Sequence, residues 1–140
     1  MKPRRQFERS TRSAQARSHR GVLLNPEKAN YNGNYVYGGG SKGKYRERTV
    51  PVDSFAANPW GLHNVLGNVW EWVEDCWNDS YVGAPADGTP WTTGQCNRRV
   101  VRGGSWFFDP RNLRSASRRR ISAVNRYNYS GFRLARTLNP

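Results

Sequence analysis

Nothing in these 140 residues sustains a hydrophobic period for long. Fourteen glycines and eight prolines break the chain at short intervals. Asn-Gly and Gly-Gly steps supply positive φ and so read as turn and loop backbone. The density is greatest between Gly21 and Arg48, through Ala29-Asn30-Tyr31-Asn32-Gly33-Asn34 and Gly38-Gly39-Gly40. Ordered loop on this scale must satisfy its carbonyls with side chains, water or a bound cation. The core must then come from large side chains, and six Trp and seven Tyr against a single Met point to aromatic packing rather than a helical bundle. The length suits one domain able to bury a core of its own. No repeat with a period of roughly 20–50 residues is evident.

Regular elements are expected to be short. Thr49-Val50-Pro51-Val52 reads as a strand whose proline puts it at an edge. Val69 to Val73 alternates, with Val69, Glu71 and Val73 on one face and Trp70 and Trp72 on the other. Arg99 to Arg102 and Gly131 to Ala135 are further strand candidates, and helix is plausible only over Asn58–Leu66 or briefly over Arg111–Ser117.

The net charge of +13 is unevenly spread. Residues 1–20 hold seven Lys/Arg and one acid, without hydrophobic periodicity, and are expected to form a basic flexible leader to a domain over residues 21–140. Residues 98–140 hold eleven arginines and one acid, Asp109. Such an excess attracts polyanions, but arginines spread through a folded segment serve more often as surface and ion-pair residues. Nucleic acid is therefore the lesser alternative, through the basic leader. No run of the chain is apolar enough to span a bilayer, and no secretory signal follows the basic start, so the chain as given reads as cytoplasmic. Cys76 and Cys96 are too few for a zinc site and form either one disulfide or two buried thiols.

Four motifs occur in order: Asn58-Pro59-Trp60-Gly61-Leu62, Gly67-Asn68-Val69-Trp70-Glu71-Trp72, Val101-Arg102-Gly103-Gly104-Ser105-Trp106 and Gly131-Phe132-Arg133-Leu134-Ala135. Their order and spacing resemble the formylglycine-generating enzyme (sulfatase-modifying factor) family, from about residue 25 to the end. The resemblance implies an α+β, C-type-lectin-like fold with little regular secondary structure, a small antiparallel sheet, and long loops tied down by aromatics and metal. The family's oxidoreductases hold copper with two cysteines beyond the Gly-Gly-Ser-aromatic motif. Those positions are Phe108 and Leu113 here. Neither offers the soft thiolate that copper(I) wants, so the expectation is no copper and no enzyme activity of that kind. The iron-dependent relatives need a His-rich site, and only His19 and His63 are present.

The same resemblance implies a structural calcium held by the side chains of Asn64 and Glu71 and the carbonyls of Gly67 and Val69, a donor set suited to a hard cation. The competing reading pairs Glu71 with an arginine and lets Asn64 cap a turn. A second family calcium site would use Asn30, but Lys44 falls near the place of its acid. Trp70, Trp72 and Trp106 are expected in the core, and Arg102, Arg114 and Arg133 beside buried acids such as Glu71 or Asp75.

Residues 107–129 also resemble the terminal segment of variable proteins of diversity-generating retroelements, in which template Asn codons are randomised at their adenines. Phe107, Phe108, Asp109, Ser117, Arg119, Ile121, Tyr127 and Tyr129 all lie within the set reachable from an Asn codon. The unreachable types (Lys, Glu, Gln, Met, Trp) do not occur from Phe107 to Ser130. Rigid aromatics with adaptable polar groups are also what a paratope uses. These eight residues are the expected contacts of a non-catalytic module that binds a protein or other macromolecule. The alternatives are a family oxidoreductase, or a degenerate member with a structural or regulatory role.

Overall fold

The computed structural model describes residues 24–134, so the basic leader lies outside the described residues. Four strands form one sheet: β1 (Trp70–Trp77), β2 (Gln95–Arg102), β3 (Arg119–Ser122) and β4 (Ser130–Gly131), in the order β3-β2-β1-β4. The strands β1, β2 and β3 are antiparallel, with Glu71 opposite Arg102, Trp72 opposite Val101, and Arg99 opposite Ile121. The sheet is mixed rather than wholly antiparallel, because the two-residue β4 runs parallel to β1. Its α component is a single turn of 3-10 helix, Pro110–Leu113. Everything else described is turn and loop, as the glycine and proline spacing requires.

The core has two parts. Beneath the sheet, Trp70, Val101 and Ile121 are buried, with Trp72, Phe108 and Tyr129 packed against them. Beside it, Leu113 closes on Ala29 and Tyr31, with Leu24 and Leu66 at the margin. Trp106 is also buried. Loop backbone joins the two. Asn30 bridges Gly67, the Asn68 N–H donates to the Asn30 carbonyl at 2.7 Å, and the Gly67 N–H donates to the Gly103 carbonyl at 2.8 Å. Gly67 has φ 76° and lies so close to the Asn30 carbonyl that any Cβ would collide with it. Gly104, at φ 75°, likewise leaves room for Leu113, whose Cδ1 would meet an added Cβ at 2.6 Å.

Three local expectations are corrected. Thr49–Val52 forms no strand, because its partner is a side chain: Asn68 Oδ1 accepts from the Val50 N–H at 2.9 Å while Asn68 Nδ2 donates to the Val50 carbonyl at 3.1 Å. Asn58–Leu66 forms no helix. Asn58 Oδ1 accepts from the N–H groups of both Trp60 and Leu62, and Gly61 sits at φ 74°, a side-chain-capped loop instead. The helix considered over Arg111–Ser117 shrinks to the 3-10 turn, since Arg114 is already extended.

Cys76 and Cys96 are joined in a disulfide linking the ends of β1 and β2, which settles the open alternative in favour of the bridge. Among the described residues no helix is long and apolar enough to cross a membrane.

Candidate ligand-binding surface

Three chain segments converge on one side of the sheet: the loop around Tyr45, the turn Trp106–Phe108 that follows β2, and Tyr127–Tyr129 that precedes β4. Their rings form a continuous ladder. Tyr127 stacks on Tyr129 at 4.8 Å between centroids and 9° between planes, and Tyr129 stacks on Phe107 at 5.9 Å and 14°. Phe107 then meets Trp106 edge-on at 5.5 Å, and Trp106 lies over Tyr45 at 6.2 Å. Phe108 is the foot of the ladder. It packs edge-on against Phe107, Tyr129 and the core indole of Trp70, while the Arg119 guanidinium covers it at 4.8 Å.

Position along the ladder decides exposure. Phe107 and Tyr127 keep 50% and 38% of their surface in solvent, whereas Phe108 and Tyr129 are only partly exposed. Burial raises the Tyr129 hydroxyl above its ordinary pKa, with Tyr127 adding and Arg119 opposing. Burial first, then Glu47 and Tyr35, raises that of Tyr45. Both phenols therefore stay neutral donors at ordinary pH.

Five of the eight sequence-predicted contacts thus lie together: Phe107, Phe108, Arg119, Tyr127 and Tyr129. Asp109 borders them but is already engaged. It caps the 3-10 turn by accepting from the Arg111 N–H at 2.8 Å, and it takes the Arg111 guanidinium through both oxygens at 3.0 and 2.7 Å. Those hydrogen bonds are the main reason its carboxyl titrates below the ordinary range. Ser117 is partly buried in the turn before β3, where its carbonyl faces the Arg102 guanidinium. Ile121 departs from expectation. It is 5% exposed against Trp70 and Val101, so its side chain belongs to the core and not to this surface. The strand period explains it: Ile121 sits opposite Arg99, on the same face of the sheet as Val101.

Tyr45 and Trp106 were not among the expected contacts. Trp106 read as core, and it is buried; Tyr45 sits in a Gly-rich loop with no periodic pattern, so no local signal links it to a segment some 60 residues on. A second aromatic cluster lies near the far end of β1. There the Arg118 guanidinium is held between Trp77 and Tyr81 at 4.3 and 4.4 Å and donates to the Asn78 carbonyl. Of the arginines expected beside acids, Arg133 pairs with Glu71, and Arg102 donates to the Ser115 carbonyl and the Tyr81 hydroxyl. Arg114 Nε donates to the Arg111 carbonyl at 3.0 Å.

Two of the four predicted calcium-binding residues, Glu71 and Asn64, are joined through Arg133. Its Nε donates to the buried Glu71 carboxylate and its Nη2 to the Asn64 carbonyl at 2.8 Å. Asn64, at φ 49°, donates through Nδ2 to the Pro51 and Val52 carbonyls, leaving Oδ1 buried without a hydrogen-bond partner. Burial pushes the Glu71 carboxyl above its ordinary pKa, against the opposing pull of Arg133. An orphaned amide oxygen and a desolvated carboxylate are both donors of the kind a hard cation takes. The same pairing of Glu71 with an arginine is also the alternative that needs no metal.

Residues 7–138 match the family described as the sulfatase-modifying factor enzyme 1-like domain. Among curated relatives, the serine/threonine-protein kinase pkn1 of Chlamydia caviae is 42% identical over 92 residues, which are 63% of this chain and 15% of that protein. Among solved structures, PvdO from Pseudomonas aeruginosa superposes with a TM-score of 0.62 at 39% identity, over 76% of this chain and 38% of that one. Treponema denticola variable protein 1 superposes at 0.59 with 29% identity, over 76% and 34%. The chain therefore spans well under half the length of each of these relatives.

Proposed function

Since this chain belongs to the sulfatase-modifying factor enzyme 1-like family, we propose that it is a binding member of that family, displaying an adaptable surface on a C-type-lectin-like scaffold rather than performing oxidation. The observation that carries the reading is the aromatic ladder. Residues singled out as reachable by codon diversification (Phe107, Phe108, Arg119, Tyr127, Tyr129) come together from three separated stretches into one half-exposed patch. The likeness to a variable protein of Treponema denticola supports the same direction. So do the two positions that the resemblance assigns to copper. Leu113 is sealed in the core at 1% exposure and Phe108 is packed on Trp70, so both are hydrocarbon. Both cysteines of the chain are joined in the disulfide between β1 and β2.

The ligand in this proposal is a protein or other macromolecule, because a flat aromatic patch with polar margins is what such interfaces use. Two measurements test it. Purified protein, given one equivalent of copper(I) and a cysteinyl peptide, is expected to leave the thiol unoxidised; turnover would restore the oxidoreductase reading. Sequencing the flanking DNA is expected to find a reverse-transcriptase gene and an adenine-rich near-copy of the segment coding residues 107–129. Absence of both would remove diversification, leaving a fixed binding surface.

Calcium is part of the proposal as a structural ion held by Asn64, Gly67, Val69 and Glu71, supported by the orphaned Asn64 oxygen. It would fix the loop before β1 by neutralising Glu71. Millimolar calcium is then expected to raise the melting temperature over a chelator control. An unchanged melting temperature would leave Arg133 as the sole counter-charge.

A further inference from the structure

The faces of the ladder say what can bind to it. Tyr127 and Tyr129 lie against each other at 9°, and Tyr129 and Phe107 at 14°, so most of the π surface is spent within the protein. Both faces of Tyr129 are taken up in this stack, and the Tyr127 hydroxyl already accepts from Asn125 Nδ2 at 2.6 Å. A nucleic-acid base needs an open ring face on which to stack, and only the two end faces of this three-ring stack could serve. A polypeptide needs apolar edges and polar groups in a half-buried patch, which it offers well.

Charge narrows the partner further. From Arg98 to Leu134 there are ten arginines and one acid, Asp109. That acid is neutralised in place by the two-pronged contact of Arg111. Arg119 lies with its guanidinium on Phe108, which uses its face and leaves its N–H rim for a ligand. Arg126 immediately precedes Tyr127, is exposed, and donates to the Val124 and Asn125 carbonyls. An apolar patch with the exposed Arg119 guanidinium against it, an exposed arginine next to Tyr127 in the chain and its one carboxylate already cancelled is complementary to carboxylates. We infer that the ladder docks an acidic polypeptide segment, in which Asp or Glu side chains meet Arg119 and Arg126 while apolar side chains cover Phe107 and Tyr127. The inference rests on the binding reading above and adds the chemistry of the partner.

The test selects a random dodecapeptide display library on the whole purified chain. The selected sequences are then remeasured as synthetic peptides, beside versions with Asp and Glu changed to Asn and Gln, and beside an oligo-dT strand. Selected peptides are expected to be rich in Asp and Glu, and to lose about tenfold in affinity on Arg119→Glu or on the acid-to-amide change. Their affinity is expected to fall with Tyr127→Ala and with added salt. Arg119→Gln, which keeps size without reversing charge, is expected to give an intermediate loss at an unchanged melting temperature, separating charge from folding. Neutral peptides lost on Tyr127→Ala but indifferent to Arg119→Glu would overturn the acidic partner and leave the binding reading standing. Tight oligo-dT binding lost on both substitutions would overturn the polypeptide in favour of nucleic acid. Selected peptides untouched by Tyr127→Ala, or no selection at all, would overturn this inference and the binding reading together.

Discussion

At the scale of single residues the most consequential group is Arg133, the only described residue whose side chain donates both to the Glu71 carboxylate and to the Asn64 backbone. Glu71 is 5% exposed, and its ionised form is tolerated because a guanidinium sits against it. Arg133→Met should therefore cost about 2 kcal/mol at neutral pH, less than a fully buried pair because the arginine reaches solvent. The loss should depend on pH with a definite sign. With Arg133 gone, burial alone holds the Glu71 pKa above its unfolded value of about 4.3. The folded state then keeps a proton that the unfolded state gives up, so stability is fully present below that value and declines as pH rises through the folded pKa. Urea unfolding at pH 5 and pH 8 should show the smaller deficit at pH 5; equal deficits would mean that Glu71 does not titrate with folding. The partnership of Glu71 with an arginine was legible from the sequence as one of two alternatives. Which of three arginines supplies it was not, because Arg133 lies 62 residues away.

Among elements, β1 and β2 hold the scaffold together and are also the best-forecast part of the fold. Val-Trp-Glu-Trp-Val alternates by design of the strand period, and Gly103-Gly104 ends β2 where positive φ is needed. The failures have two causes. Thr49–Val52 and the inward turn of Ile121 are decided by partners distant in sequence, which no window of neighbouring residues contains, whereas over Asn58–Leu66 a local side chain, Asn58, stands in for the helical backbone partner. The disulfide pins the same two strands across a separation of 20 residues. Replacing both cysteines by serine should lower unfolding free energy by about 3 kcal/mol on the loop-entropy account. Guanidinium titration of that variant, against the oxidised parent, measures it. A difference near zero would mean that the bulged ends of β1 and β2 are held by other contacts.

Over the whole molecule, framework and display surface divide along the ladder rather than along the chain. Ile121→Ala should cost about 2–4 kcal/mol, as a buried large-to-small change. Phe107→Ala with Tyr127→Ala should cost much less, because each ring retains over a third of its surface in solvent. Thermal unfolding of the two variants would sort them. A severe loss in the second would show that the rings are a lid on the core and not a display. Phe108 belongs to both parts, since it touches Trp70 beneath and Arg119 above. Trp106 has a comparable double position, buried itself yet in contact with Phe107 and Tyr45. An indole so placed is a built-in optical probe: a molecule settling on the rings above would alter its emission with no dye attached, and Trp106→Phe would silence that signal while leaving the other five tryptophans as an internal reference.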